Sequence, residues 1–152
     1  MNSGKPSETL RQVVMEVLER FAFSFADDED PQYQEVAWLS SDLTFAGPVR
    51  GKVGLAVSRE LASDLGLNIL GVEPETAPPE LADDAIKELT NIICGDLLFR
   101  LYGPKAVFDL CVPALRKAVS FQAVKRELPT GATVVELTVE GHRLIAWLTL
   151  EA

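Results

Sequence analysis

The sequence predicts an α+β domain in which a mostly antiparallel sheet packs against helices. Three observations point there: an amphipathic helical stripe near the N-terminus, a long helical pattern from Glu80 to Leu101, and a following run of short β-branched and aromatic segments separated by turn residues.

The first element runs from Ser7 to about Ala26. Leu10, Val13, Val14, Val17, Leu18 and Phe21 recur on one helical face. Ser7 is placed to cap this helix, and Glu8 complements the dipole of its first turn. The acidic run Asp27-Asp28-Glu29-Asp30 and Pro31 should stop it and form a solvated loop. Residues 33–45 and 51–57 read as two strands joined through Gly47-Pro48-Val49-Arg50-Gly51, a hairpin. A short helix follows from Ser58, its cap, to Gly66. Pro74, Pro78 and Pro79 mark a loop, after which the long helix ends at Gly103-Pro104. Residues 106–112, 119–125, 133–140 and 143–150 are the four predicted C-terminal strands, the last two joined at Gly141-His142.

At 152 residues, 47% of them hydrophobic, the chain is expected to form a single domain over residues 1–152. Its apolar stretches are too short to span a membrane, and polar Asn2, Ser3, Lys5 and Ser7 at the start do not resemble a signal peptide, so a cytoplasmic location is expected. A net charge of −9 and a pI near 4.6 argue against nucleic acid and anionic membranes, which select clustered Lys and Arg. The expected partner is a protein or a small molecule. Cys94 and Cys111 both lie in apolar runs and are expected in the core. His142 stands alone, without Cys or His at ligand spacing, so no metal site is expected.

The long helix carries the candidate chemistry. At about 100° per residue, Ile86, Leu89, Ile93 and Leu97 share a sector of roughly 80°, the core face. Asp84, Glu88, Asn91 and Gly95 share a line pointing almost directly away from it, flanked by Ile92 and Phe99. A polar stripe with an apolar border suggests a contact surface. Gly95 costs about 1 kcal/mol relative to alanine inside a helix, which close approach of another backbone would explain.

Asp84-x-x-x-Glu88-x-x-Asn91, followed after twenty-one residues by Pro113, resembles the signature of the CheC, CheX and FliY chemotaxis phosphatases. The flanking Asp83-Asp84-Ala85-Ile86-Lys87 and Ile92-Ile93-Cys94-Gly95 are similar to the same family segment, and the order of the other elements matches a CheX-like domain. CheC-like members carry two copies of the motif helix. This chain has one Glu-x-x-Asn, which points to a CheX-like phosphatase domain with a single long motif helix.

The resemblance implies hydrolysis of the phospho-aspartate of a CheY-like response regulator, in chemotaxis or related two-component signalling. Glu88 and Asn91 would be the catalytic pair. An asparagine amide both donates and accepts hydrogen bonds, which suits Asn91 to hold a water in line with phosphorus, and Glu88 would pair with the regulator's lysine. Asp84, Ile92, Gly95 and Phe99 would contact the partner, and Pro113 would shape the fold around the helix. No cofactor is expected on this chain, Mg2+ belongs to the regulator, and a homodimer is implied. Two other readings stay open: a non-catalytic module binding a regulator or a flagellar or signalling partner, and a small-molecule sensor on the same fold.

Overall fold

A computed structural model describes residues 6–31 and 37–151. The first helix, α1 (Pro6–Ala22), starts with proline, whose missing N–H is no loss in a first helical turn. Ser7 therefore lies inside the helix rather than capping it. The helix also stops at Ala22, before the acidic run is reached. Phe23 takes a left-handed conformation (φ 52°), and the Ser24 N–H donates to the Leu18 carbonyl at 3.1 Å, closing the last turn. Leu10, Val13, Val14, Val17 and Leu18 are buried as the stripe requires, while Phe21 is 39% exposed. Past the turn, Ala26–Asp27 forms a two-residue strand, β1, where the helix was expected to end and the acidic loop to begin.

Residues 33–36 of the first predicted strand lie outside the described residues. The hairpin itself is β2 (Trp38–Ala46) and β3 (Arg50–Ser58), paired from Trp38↔Ser58 to Ala46↔Arg50. Ser58 then caps α2 (Arg59–Leu70) by accepting the Leu61 N–H at 3.1 Å, and Gly71 ends that helix in a left-handed conformation. The helix runs one turn beyond Gly66. The long helix, α3 (Leu81–Tyr102), is closed by the Gly103 N–H on the Phe99 carbonyl at 2.8 Å.

The stretch after α3 departs most from expectation. Of the strand predicted over 106–112 only β4 (Asp109–Leu110) forms, followed by β5 (Ala114–Ala118). Where a strand over 119–125 was expected, α4 (Phe121–Arg126) stands instead. Ser120 accepts the Ala123 N–H at 3.1 Å, a cap that outweighs the β-preference of Val119, Phe121 and Val124. One helical turn also brings Phe121 and Val124 to the same apolar cluster. The chain ends in β6 (Thr133–Val139) and β7 (His142–Glu151), joined by Glu140 and Gly141 with φ 52° and 80°, the pattern of a type I′ hairpin turn.

All strands pair antiparallel, in the order β1-β6-β7-β3-β2, with β4 and β5 successively along the outer edge of β2. Pro113 sits half-buried in the break between those two short strands, on the sheet edge. Helices α1 and α3 close one face over Leu39, Leu43, Phe45, Val53, Leu55 and Val57, the main core, with α2 packed alongside. On the other face α4 covers a smaller cluster of Trp38, Ala56, Ile145 and Trp147. Gly54 is required there, because a Cβ would fall 2.0 Å from the Trp147 ring.

Cys94 is in the main core, where burial pushes its thiol up to about 12. Cys111 is exposed, contrary to expectation: it lies in the edge break, held by its N–H on the Thr44 carbonyl at 2.9 Å. His142 is buried at the start of β7, its Nδ1 3.3 Å from Ser58 Oγ.

Candidate functional site

Helix α3 packs against the sheet and against both α1 and α2, so most of its circumference is covered. Ile86, Leu89, Ile93 and Leu97 are essentially inaccessible, as the wheel predicts. The exposed positions are Asp84, Glu88, Asn91, Gly95 and Phe99, one per turn over about 22 Å of helix at 1.5 Å per residue. Ile92 differs from expectation: it is half-buried and packs against the main core, because a neighbouring element covers the side on which the wheel leaves it open.

The stripe is held from behind. Arg100 bonds Glu16 of α1 and reaches Asp96 at 3.3 Å, tying the C-terminal half of α3 to α1. Those two acids hold the guanidinium above its ordinary range, the hydrogen bond it donates to Glu16 contributing most. Thr90, beside Asn91, turns its hydroxyl back onto the Ile86 carbonyl at 2.7 Å. The outward residues are less committed. Asp84 meets Lys87 at 3.7 Å, an exposed pair of small energy. Among the described residues no side-chain hydrogen bond or ion pair engages Glu88 or Asn91. They stand one turn apart, about 4.5 Å along the axis.

Gly95 has open space where a Cβ would be, with nothing within 4 Å. No described segment of this chain therefore requires the glycine. Beyond it, Gly95, Leu98 and Phe99 form one wall of a cavity of about 230 Å3 completed by Gly103, Phe108 and Leu110. The part played by Phe108 and Leu110 is not readable from the sequence, since it depends on the short β4 turning back beside the helix end. A second region, of which the sequence signals only the acidic run, lies at the opposite sheet face, where Arg143 and Lys125 flank the Phe121 ring at 4.3 and 4.8 Å. They face Asp27, Asp28 and Asp30 across a cavity of about 360 Å3, so the acidic run lines a cleft instead of only meeting solvent.

Among the described residues no group of three or more His, Cys, Asp or Glu converges as a metal site. No described helix is long and apolar enough to cross a membrane.

The sequence profile of the family described as Chemotaxis phosphatase CheX matches residues 40–138, more than half of the chain and all of α3. This chain belongs to the CheX family. No protein of curated function matches it in sequence. Among solved structures, the chemotaxis protein CheX from Vibrio vulnificus shares 17% identity at a TM-score of 0.71, with 99% of this chain and 100% of that one covered. A CheX–CheY–BeF3–Mg2+ complex from Borrelia burgdorferi matches at 18% identity and a TM-score of 0.67, covering 95% and 97%. FliY from Thermotoga maritima is more distant, at 14% identity and a TM-score of 0.55, covering 97% and 91%. At these identities the structural likeness carries the fold, an α+β CheX architecture, while the family rests on the sequence match. The Asp84-to-Asn91 stripe thus stands on a CheX helix, exposed and backed by the core.

Proposed function

We propose that this CheX-family chain hydrolyses the phospho-aspartate of a CheY-like response regulator, with Asn91 positioning the attacking water and Glu88 docking onto the regulator's lysine. The observation that carries the reading is the exposure of Glu88 and Asn91 on adjacent turns of a helix whose other side is locked into the core. The Borrelia relative supports the partner class, having been solved as a complex of CheX with CheY.

An acyl phosphate is already activated, so the catalyst contributes chiefly position. The water oxygen bonds phosphorus as the bond from phosphorus to the aspartyl oxygen breaks. Aspartate leaves as a carboxylate, and both protons of the water stay with the released phosphate, as dihydrogen phosphate. Asn91 needs no proton exchange for this, only an amide fixed beside the water. Glu88 supplies a charge-assisted contact that sets the angle at which α3 enters the regulator's site, with Asp84, Gly95 and Phe99 bordering it. The Mg2+ that neutralises the phosphoryl oxygens is held by the regulator in this reading.

The test follows phosphate loss from a phosphorylated CheY-like receiver in Mg2+. Wild type accelerates it. Asn91→Ala loses about 10²- to 10³-fold in turnover, the scale of removing one fixed polar group around a reacting oxygen, while receiver binding persists. Glu88→Ala weakens binding about tenfold or more, from loss of a charge-assisted bond. Unchanged turnover in Asn91→Ala would sink the catalytic reading, and binding without acceleration by wild type would leave a docking module.

We also infer a cytoplasmic homodimer. Its support is the β4–β5 edge, where Val107, Val112 and Val119 are 79%, 87% and 79% exposed, an apolar concentration that a second copy would cover. Sedimentation at micromolar concentration should give twice the chain mass, and a monomer there removes the dimer.

A further inference from the structure

Asp84 and Glu88 have a second role in the geometry, besides standing on the exposed stripe. Both form the acidic rim of a cavity of about 230 Å3 between α2 and α3, whose remaining walls include Ile69, Leu70, Pro78 and Leu81. Its floor depends on Gly66. A Cβ there would come within 2.7 Å of the Leu81 side chain, so the glycine lets α2 settle closely on the start of α3. At the mouth, Leu70 is 55% exposed, a large apolar side chain on the last turn of α2, held in place by the left-handed Gly71 cap.

The size and charge of the cavity restrict its occupant. It falls below the roughly 300 to 1,000 Å3 usual for a small-molecule site, which favours an inserted side chain over a metabolite. Its charged lining groups are carboxylates, with the acids Glu73, Glu75 and Glu80 on the connection leading into α3. An anionic occupant is disfavoured, whereas an apolar side chain with a basic neighbour satisfies both wall and rim. The cavity also adjoins the proposed docking stripe, because Glu88 belongs to both. A receiver engaging Glu88 therefore stands at its rim.

We propose that this α2–α3 cavity is a specificity pocket for the response regulator, taking an apolar side chain that the regulator presents beside its basic Glu88-binding residue. The proposal rests on the phosphatase reading above and deepens it: α3 recognises what all such regulators share, and the α2 wall recognises which one has docked. Leu70 is the residue to test, since it is exposed and belongs to neither core cluster.

The experiment titrates phosphorylated receivers against the full chain in Mg2+, measuring both affinity and turnover for wild type, Leu70→Ser and Leu70→Met. Leu70→Ser is expected to raise Kd and KM about tenfold with kcat unchanged, the scale of exposing one leucine contact, and Leu70→Met to restore both. A thermal melt of each variant confirms the fold. As a second measurement, a receiver whose apolar contact residue is changed to serine should bind wild type and Leu70→Ser equally weakly. Full affinity of Leu70→Ser for a receiver that wild type binds overturns the pocket and leaves the phosphatase reading standing. Binding without acceleration, still weakened in Leu70→Ser, supports the pocket and removes catalysis. Failure of wild type to bind any receiver overturns both.

Discussion

Along α3, Ile86, Leu89, Ile93 and Leu97 are sealed against the sheet, whereas Asp84, Glu88, Asn91, Gly95 and Phe99 meet solvent one per turn. The two sides share a backbone and little else. The inner side is apolar, close-packed and reinforced by the Arg100 bonds to Glu16 and Asp96. Glu88 and Asn91 on the outer side have no side-chain partner among the described residues. On the proposed phosphatase reading, an amide that meets a phosphoryl group on another protein gains from this division, because the core bears the cost of fixing the helix and the amide itself stays free to bind. Stability and activity should therefore respond to different residues only one to three positions apart.

The largest expected effect comes from the inner side. Leu89→Ala should destabilise the fold by about 2–5 kcal/mol in denaturant unfolding, while phosphatase activity per folded molecule stays near wild type. Loss of activity in step with an unchanged unfolding midpoint would erase the division. At Gly95 the two sides pull apart within one residue. Gly95→Ala has no clash to relieve, so it should raise stability by up to about 1 kcal/mol, yet weaken receiver binding if a partner backbone lies there. Higher stability with full affinity would release Gly95 from the docking surface. The smallest effect is at Lys87. Its 3.7 Å contact with Asp84 is exposed, and Lys87→Ala should move stability by no more than about 0.5 kcal/mol at ordinary salt.

What could be read from the sequence follows how local its cause is. The limits of α3 are set by its own periodicity and by Gly103, and the β6–β7 hairpin by Gly141, so both were legible. The stripe was legible too, down to Phe99, because exposure opposite a core face needs only the helical repeat. Ile92 was not, since its cover comes from elements the wheel does not contain. The end of α1 was misjudged because a non-glycine residue, Phe23, takes the left-handed turn, an event composition does not signal. At 119–125, β-branched content suggested a strand, but the Ser120 cap and an apolar cluster across the sheet decided for a helix. Cys111 lies in an apolar run by sequence and on an edge by topology, and only the order of strands distinguishes the two. The α2 wall of the α2–α3 cavity escaped for a similar reason: Leu70 and Glu88 come to line one cavity only once the helices have packed.

The interruption at Pro113 bears on how safely this molecule can carry an open sheet margin. Among the described residues β4 and β5 pair with β2 alone, which leaves their far side unpaired. A proline there donates no hydrogen bond, and two short stretches flank it in place of one long ladder. A stray strand arriving from a misfolded or foreign chain finds too few consecutive rungs to zip onto. The same margin exposes its valines without offering the long ladder from which the endless stacking of fibres is seeded.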